Sequence, residues 1–451
     1  MLTGVGIVIA GCGATTRDAG PPLPLSPPMG WNSWNSGIVL TEASVKATID
    51  TMVSSGMRDA GYRYVNLDAG WAAATRDRAG DLRADPDRFP DGIAALARYA
   101  HDRGMLFGLY SSPYNEICGQ VPTNASAGHE AADARTFAAW GVDYLKYDWC
   151  RNEAHHADQV RVFTAMRDAL RGSGRHILYS INPNSSEDPT AGSRYDWSGI
   201  ANMTRNTIDL LPLWGDPVAA ANGTSPLDSE GVPALVAAAA PLAGRSRPGY
   251  WNDPDMLVIG ISWAEFVRGH PGMLSGLAAP GSLTADQINQ VELLTPLTQE
   301  VVSLIGNQRT SLTDGEQRAH LSLWAMLAAP LLAGNDVRTM SAQTRAILTN
   351  RDVIAVDQDP LVAQGQWLAS NNAVMVKPLA DGSAAVAIYN PNSQPVSIET
   401  SVAAIGLKKS SCYTVRDLWT HAESSTTDEI GRGAPIPAHG VTMLRVTPSC
   451  R

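Results

Sequence analysis

The chain has 451 residues, 44% of them hydrophobic and only 17% charged, which is ample for a full core and too little charge for a disordered chain. A formal net charge of −10 at pH 7 argues against nucleic-acid or anionic-membrane binding. Twelve Trp against five Phe hints at stacking on sugar rings, although Trp also fills cores.

The N-terminus opens with an apolar run from Leu2 to Ala10, followed by Gly11 and Cys12. A run too short to span a bilayer that ends in small residues resembles an export signal. The small residues before Cys12 resemble a bacterial lipoprotein cleavage site, which would make Cys12 the lipidated residue; the alternative is simple secretion, and no basic segment precedes the run. Residues 13–28 are rich in Thr, Gly and Pro and read as a tether. The expectation is an exported protein, either a cell-surface lipoprotein or secreted, with residues 1–26 as signal and tether. Membrane attachment is peripheral and depends on Cys12 being lipidated. With Cys12 set aside, four cysteines remain, and an even number in an exported chain suggests two bridges. Sequence proximity favours Cys118 with Cys150 and Cys412 with Cys450.

Along the chain, strand-like segments alternate with helical ones. A first strand is predicted over 27–35, then a helix over 43–60 with Val45, Ile49, Met52 and Met57 on one side. Strands follow at 62–68, 105–110, 141–150 and 176–180, with helices at 93–103, 131–140 and 159–170 between them. The pattern then loosens: 201–205, 249–257 and 331–336 read as strands six to eight, with a helix at 321–327 and a long, mostly helical insertion over 262–318. Eight such units at short spacing predict an α/β fold, a (β/α)8 TIM barrel over 27–360. From 361 to 451 short strands at 373–377, 384–389 and 440–446, separated by Gly, Pro, Asn and Ser, predict a C-terminal antiparallel β-sandwich.

In such a barrel functional groups sit at the C-terminal ends of the strands. Those ends supply Trp31, Asp68, Tyr110, Lys146 with Asp148, Asn182, Arg205, and Asp253 with Asp255; Asp209 lies just past Arg205. Lys146 and Asp148 are two apart, so on a strand they project to one side, where the cation keeps the carboxylate ionised and aimed. An edge salt bridge is the plainer reading of that pair alone. No His cluster of metal spacing, Gly-rich phosphate loop or G-x-S-x-G elbow is present, so neither metal nor cofactor is expected. Carboxylates among aromatics suit glycoside hydrolysis, which needs one carboxylate as nucleophile or base and one carboxyl as acid.

Five stretches carry a resemblance. Pro27-Pro28-Met29-Gly30-Trp31-Asn32-Ser33-Trp34-Asn35, Tyr64-Val65-Asn66-Leu67-Asp68, Tyr144-Leu145-Lys146-Tyr147-Asp148, Trp251-Asn252-Asp253-Pro254-Asp255-Met256-Leu257 and Val353-Ile354-Ala355-Val356-Asp357-Gln358-Asp359-Pro360 resemble glycoside hydrolase family 27, the α-galactosidases and α-N-acetylgalactosaminidases. The resemblance runs in order over nearly the whole chain after the tether. It implies a retaining exo-glycosidase acting on a terminal α-linked sugar, with Asp148 as nucleophile. Asp209, four residues after Arg205, takes the acid/base role. The same resemblance places Trp31, Asp68, Tyr110, Lys146, Asn182, Arg205, Asp255 and Met256 around the sugar, and ties Cys118 to Cys150 near the pocket. Asp253 is left open between a sugar contact and a support for the neighbouring loop, the commoner role of an Asp beside a Pro-Asp turn.

The chain also departs from the family pattern. Members usually carry two adjacent acids after the second strand, where this chain has Asp68 and Ala69. Asn182-Pro183 stands where many have a Glu-Trp pair, Thr204 where Trp usually precedes the Arg, and Ser111 to Glu116 replaces a more usual turn. These positions touch the sugar and leave the reacting pair alone. An isomaltodextranase-like α-glucoside or a β-L-arabinopyranoside is therefore an alternative substrate, and a non-catalytic sugar-binding surface protein is an alternative of another class.

Overall fold

The computed structural model describes residues 19–115, 117–118, 124–151, 153, 155–185, 187–215, 229–270, 310–431, 433 and 435–449. The expectations for Cys12, for the tether before residue 19, for Glu116, for Cys450 and for most of the predicted insertion lie outside those residues. Cys412 is disulfide-bonded, and its expected partner Cys450 is among the residues outside.

Eight parallel strands form one sheet: β1 Met29–Asn32, β2 Tyr64–Asn66, β3 Leu106–Ser111, β4 Tyr144–Asp148, β5 Leu178–Asn182, β6 Met203–Arg205, β7 Trp251–Asp253 and β8 Leu331–Ala333, in the order β8-β1-β2-β3-β4-β5-β6-β7. The sheet curls until its two ends meet. Closure does not run through β7 itself. Leu257, four residues past its end, donates its N–H to Leu332 at 2.7 Å and accepts the N–H of Gly334 at 2.9 Å. The predicted strand 249–257 is thus broken in two, and the break falls at Asp255, whose φ of +84° is a left-handed conformation that a side-chain-bearing residue rarely adopts.

Strand alternation divides each strand between two faces. Tyr64, Tyr144, Leu178, Met203, Trp251 and Leu332 meet inside the barrel with Met256 and plug it below its mouth. Trp31, Val65, Phe107, Leu109, Leu145, Tyr147, Tyr179 and Ile181 belong to the core shared with the surrounding helices. Gly30 is required where the chains crowd, because a Cβ there would lie 2.6 Å from that of Tyr64. The predicted helix 43–60 is two helices, Glu42–Ser54 and Met57–Ala60. The first starts in a capping box of Thr41 and Ser44, and Gly56 at φ +87° turns the chain between them. The helix expected at 321–327 begins earlier, over Asp314–Met326, behind a capping box of Thr313 and Glu316. Its first turns are polar and carry no apolar stripe, so periodicity had no hold on them. Among the described residues no helix is long and apolar enough to cross a membrane.

The sandwich follows as β9 Gln366–Leu368, β10 Asn371–Pro378, β11 Ala384–Tyr389, β12 Tyr413–Asp417, β13 Glu423–Thr426 and β14 Val441–Thr447, antiparallel in the order β9-β10-β11-β14-β12-β13. Every residue of β11 is buried. Val386 and Ile388 face the sandwich's own core, whereas Ala385, Ala387 and Tyr389 join that of the barrel. Lys377 of β10 is fully buried at this junction and donates to the carbonyl of Ala325 at 2.9 Å. Burial pushes its ammonium down to about 8 and pushes the fully buried Asp357 carboxyl up to about 8, while the two attract each other. Lys377→Ala would strand Asp357 and the Ala325 carbonyl in the interior. The expected loss is about 3–5 kcal/mol in urea unfolding, with most of it regained in Asp357→Asn/Lys377→Met. A single variant as stable as the parent would remove the pair from the barrel–sandwich seam.

Candidate active site

The C-terminal ends of the barrel strands open into a cavity of about 140 Å³ lined by Trp34, Asn35, Asp68, Ala69, Tyr110, Cys118, Lys146, Asp148, Asn182, Arg205, Asp209, Leu210, Asp255, Met256 and Phe266. Two cations, the half-buried Lys146 and the buried Arg205, organise it. Lys146 Nζ lies 2.8 Å from Asp68 Oδ2 and 3.4 Å from Asp148 Oδ2, and 5.1 Å from the centre of the Tyr110 ring. Asp68 also accepts the side-chain amide of Asn32 at 3.1 Å and the N–H of Ala69 at 2.9 Å. Asp148 Oδ1 is buried and has no hydrogen-bond partner.

Across the mouth Arg205 forks between two acids. Nη2 donates to Asp209 Oδ1 at 2.8 Å and Nη1 to Asp255 Oδ1 at 3.0 Å. Asp255 spends its remaining capacity on the N–H groups of Met256 at 2.7 Å and Leu210 at 2.9 Å. Its own N–H goes to Asp253 Oδ1 at 2.9 Å, and its carbonyl accepts the Trp324 indole at 2.9 Å. These bonds hold its left-handed backbone in place. Cys118 and Cys150 form a disulfide at the rim, with Cα atoms 4.9 Å apart. Among the described residues no group of three His, Cys, Asp or Glu side chains could hold a metal ion.

The family whose description is α-galactosidase A matches residues 26–286 and 297–359, and the α-galactosidase C-terminal β-sandwich family matches 369–446. The chain is 33% identical over 437 residues to α-galactosidase A of Cellvibrio japonicus, covering 94% of this chain and 92% of the relative. It is 35% identical over 428 residues to the α-galactosidase of Cyamopsis tetragonoloba, covering 94% and 86%. The crystal structure of α-galactosidase I from Mortierella vinacea superposes with a TM-score of 0.75 at 28% identity, covering 95% of this chain and 99% of that one. The chain belongs to glycoside hydrolase family 27, the α-galactosidase or melibiase family.

Of the positions the resemblance assigns in this melibiase-family barrel, Asp68, Tyr110, Lys146, Asp148, Asn182, Arg205, Asp209, Asp255 and Met256 come together at one cavity. Trp31 does not. It is fully buried among the outer core residues, and its indole donates to the Asn335 carbonyl at 2.8 Å. The reason is alternation: on β1 the inward positions are Gly30 and Asn32, so Trp31 faces the helices. The aromatic that lines the pocket is Trp34, whose N–H is fixed by Asn32 Oδ1 at 2.8 Å. Asn32 ties Trp34 to Asp68, a role missed in the sequence although both residues stand in the first motif. His270 was missed as well. It is buried, its ring stacked on Phe266 at 4.4 Å and edge-on to Trp34 at 5.4 Å, behind two pocket residues. A lone His in a predicted insertion carries no signal of its own. Asp253 does not line the cavity and supports the Asp255 turn, as its place beside Pro254 suggested.

The charges of the site are tuned in opposite senses. Burial pushes the Asp148 carboxyl up to about 6, against the pull of Lys146, and burial also raises Asp253 to about 6. Asp209 feels burial too, but the Arg205 guanidinium and then Lys146 outweigh it and bring its carboxyl below the usual range. The side chain of Asp209 is 59% exposed, so water screens that pull. Burial of Tyr110, reinforced by Asp148 and Asp68, keeps its phenol protonated.

Asp148 binds its proton more tightly folded than unfolded. Its contribution to stability is present below about pH 4 and is lost as pH rises through about 6. Asp148→Asn removes a buried charge and leaves Lys146 paired with Asp68. It is expected to raise stability by about 2–3 kcal/mol at pH 7–8 and by little at pH 4. Thermal melts at the two pH values test this; an equal change at both would mean that the charge of Asp148 is not what burial penalises.

Proposed function

We propose that the chain is a retaining, exo-acting α-galactosidase in which Asp148 is the nucleophile and Asp209 the acid and base. One observation carries the reading. Asp148 is 7% exposed, Lys146 lies against one of its oxygens, and the other is buried with no partner in the cavity that Asp209 also lines. Among the described residues Asp148 and Asp357 each keep one buried carboxylate oxygen without a partner, and of the two it is Asp148 that lines the cavity, where Asp255 has both oxygens satisfied. A bare carboxylate oxygen beside an ammonium suits attack on carbon.

In the first step an Asp148 oxygen bonds to the anomeric carbon. The bond from that carbon to the leaving oxygen breaks, and the proton of Asp209 passes to that oxygen. In the second step Asp209 takes a proton from water, which attacks the same carbon and releases Asp148. A cavity well below the roughly 300–1,000 Å³ of drug-sized sites suits one terminal ring. The relatives' names support galactose as that ring.

Turnover needs one proton shared by the pair, and the second is lost as pH rises through about 6. The kcat/KM for raffinose-type galactosides is expected to fall above that pH, while an aryl galactoside with a good leaving group, which needs no proton, holds its rate further. Asp148→Ala should abolish turnover in a folded protein. Asp209→Ala should cost about 10²–10⁴ on natural galactosides and much less on activated ones. Azide should rescue it with retained configuration. Equal losses on both substrates without rescue would take the acid role from Asp209.

A second reading keeps the chemistry and changes the sugar, and Ala69 favours it. Beside Asp68 the wall is apolar, with Ala69 packed on Tyr110, Ile117 and Ala125. Neither Tyr114 nor Asn115 lines the cavity to replace the missing acid. One charge-assisted hydrogen bond is worth about 1.5–3 kcal/mol. If galactose is not the preferred sugar, Ala69→Asp should raise kcat/KM for α-galactosides relative to α-glucosides and β-L-arabinopyranosides. In a dedicated galactosidase the added acid should crowd the site and lower activity. Comparing both proteins on the three chromogenic substrates separates the readings.

A further inference from the structure

At the barrel end opposite the pocket lies a groove of about 540 Å³, lined by Arg98, His101, Arg135, Trp140 and Arg175 with the chain at Gly141 and Gly174. These residues belong to the segments that lead into β3, β4 and β5, so they mark the N-terminal ends of the strands. No acidic side chain lines the groove. The buried Asp143 serves two of its bases, with Oδ1 2.5 Å from Arg175 Nη2 and Oδ2 2.7 Å from His101 Nε2. Arg98 and Arg135 are exposed and have neither ion pair nor hydrogen bond among the described residues. The half-buried Trp140 adds an amphipathic ring of the kind that settles at headgroup level.

The chain enters the barrel at this same place. His176 donates its N–H to the Ala19 carbonyl at 2.8 Å, and Gly20 lies against the Arg175 guanidinium, where a Cβ would be 3.0 Å from Cζ. Cys12 precedes Ala19 by seven positions, a reach of at most about 25 Å.

We propose that this groove docks anionic phospholipid headgroups, turning the N-terminal end of the barrel toward a membrane and the pocket away from it. The net charge of −10 opposes such a surface at long range. Screening beyond a Debye length of about 10 Å leaves the contact to local charges, and at the groove Arg98 and Arg135 present positive charge without a partner among the described residues. Basic side chains beside an acyl anchor are the second signal that makes membrane attachment stable and oriented.

The test uses the full chain with Cys12→Ser, so that no acyl chain contributes, sedimented with vesicles. Vesicles containing phosphatidylglycerol are expected to bind at least about fivefold more protein than pure phosphatidylcholine at low salt, and to lose it near 0.5 M salt. Arg98→Ser/Arg135→Ser should reduce binding to the phosphatidylcholine level with turnover in solution unchanged. Equal binding to both vesicles, or binding that survives the double variant, would overturn the proposal. So would inorganic phosphate raising the Tm through Arg98 and Arg135 without any vesicle binding, because the groove would then hold a free anion.

Discussion

The ammonium of Lys146 sits between Asp68 and Asp148 at the mouth of a barrel whose interior below is filled by Tyr64, Tyr144, Leu178, Met203 and Trp251. Their side chains are at most 13% exposed, so little water reaches them to soften their field. Each must therefore be held in a fixed place. Asp68 is held by Asn32 and by the Ala69 and Ser33 groups around it, Lys146 by β4, and Asp148 by the strand that carries Lys146. Arg205 repeats the arrangement on the other side with Asp209 and Asp255. The two clusters differ in one respect. Asp255 is saturated with donors, whereas Asp148 keeps an oxygen bare. The difference separates a carboxylate that positions its neighbours from one that is available to react.

That availability costs stability. Asp148 and Asp253 are both carboxylates that burial disfavours in their charged form. Asp255 adds a left-handed backbone, strain of the sort that survives only where surrounding bonds over-determine it. The same residue breaks the seventh strand, so that Leu257 rather than β7 closes the barrel onto β8. Closure and charge placement are one feature: the kink that brings Asp255 to Arg205 also displaces the chain into register with Leu332. The sandwich packs on the helices that surround the barrel. Its strand β11 is buried throughout, and Met375, Ala385, Ala387 and Met443 share the core of those helices.

Much of this was legible in the sequence because two periodicities dominate it. Short apolar runs alternating with helical spacing gave the barrel, and the change of texture after residue 361 gave the sandwich. The period of two placed Lys146 and Asp148 on one side, and the four-residue spacing from Arg205 to Asp209 let both reach the mouth. The same period should have turned Trp31 outward, since Gly30 and Asn32 flank it. Trp34, beyond the strand's end, carried no periodic signal, and its place is set by a hydrogen bond to Asn32.

What the sequence determined by itself is therefore local and repetitive: the order of the strands, the face each side chain takes, and the acids at the strand ends. What only the tertiary structure decided are the long-range pairings. Arg205 meets Asp255 fifty residues on, Asp68 meets Lys146 across two strands, and Leu257 bonds to Leu332 and Gly334. Which carboxylate keeps a free oxygen follows from how many donors surround each one after the barrel has closed. No spacing along the chain records that count, because the donors come from elements that closure alone brings together.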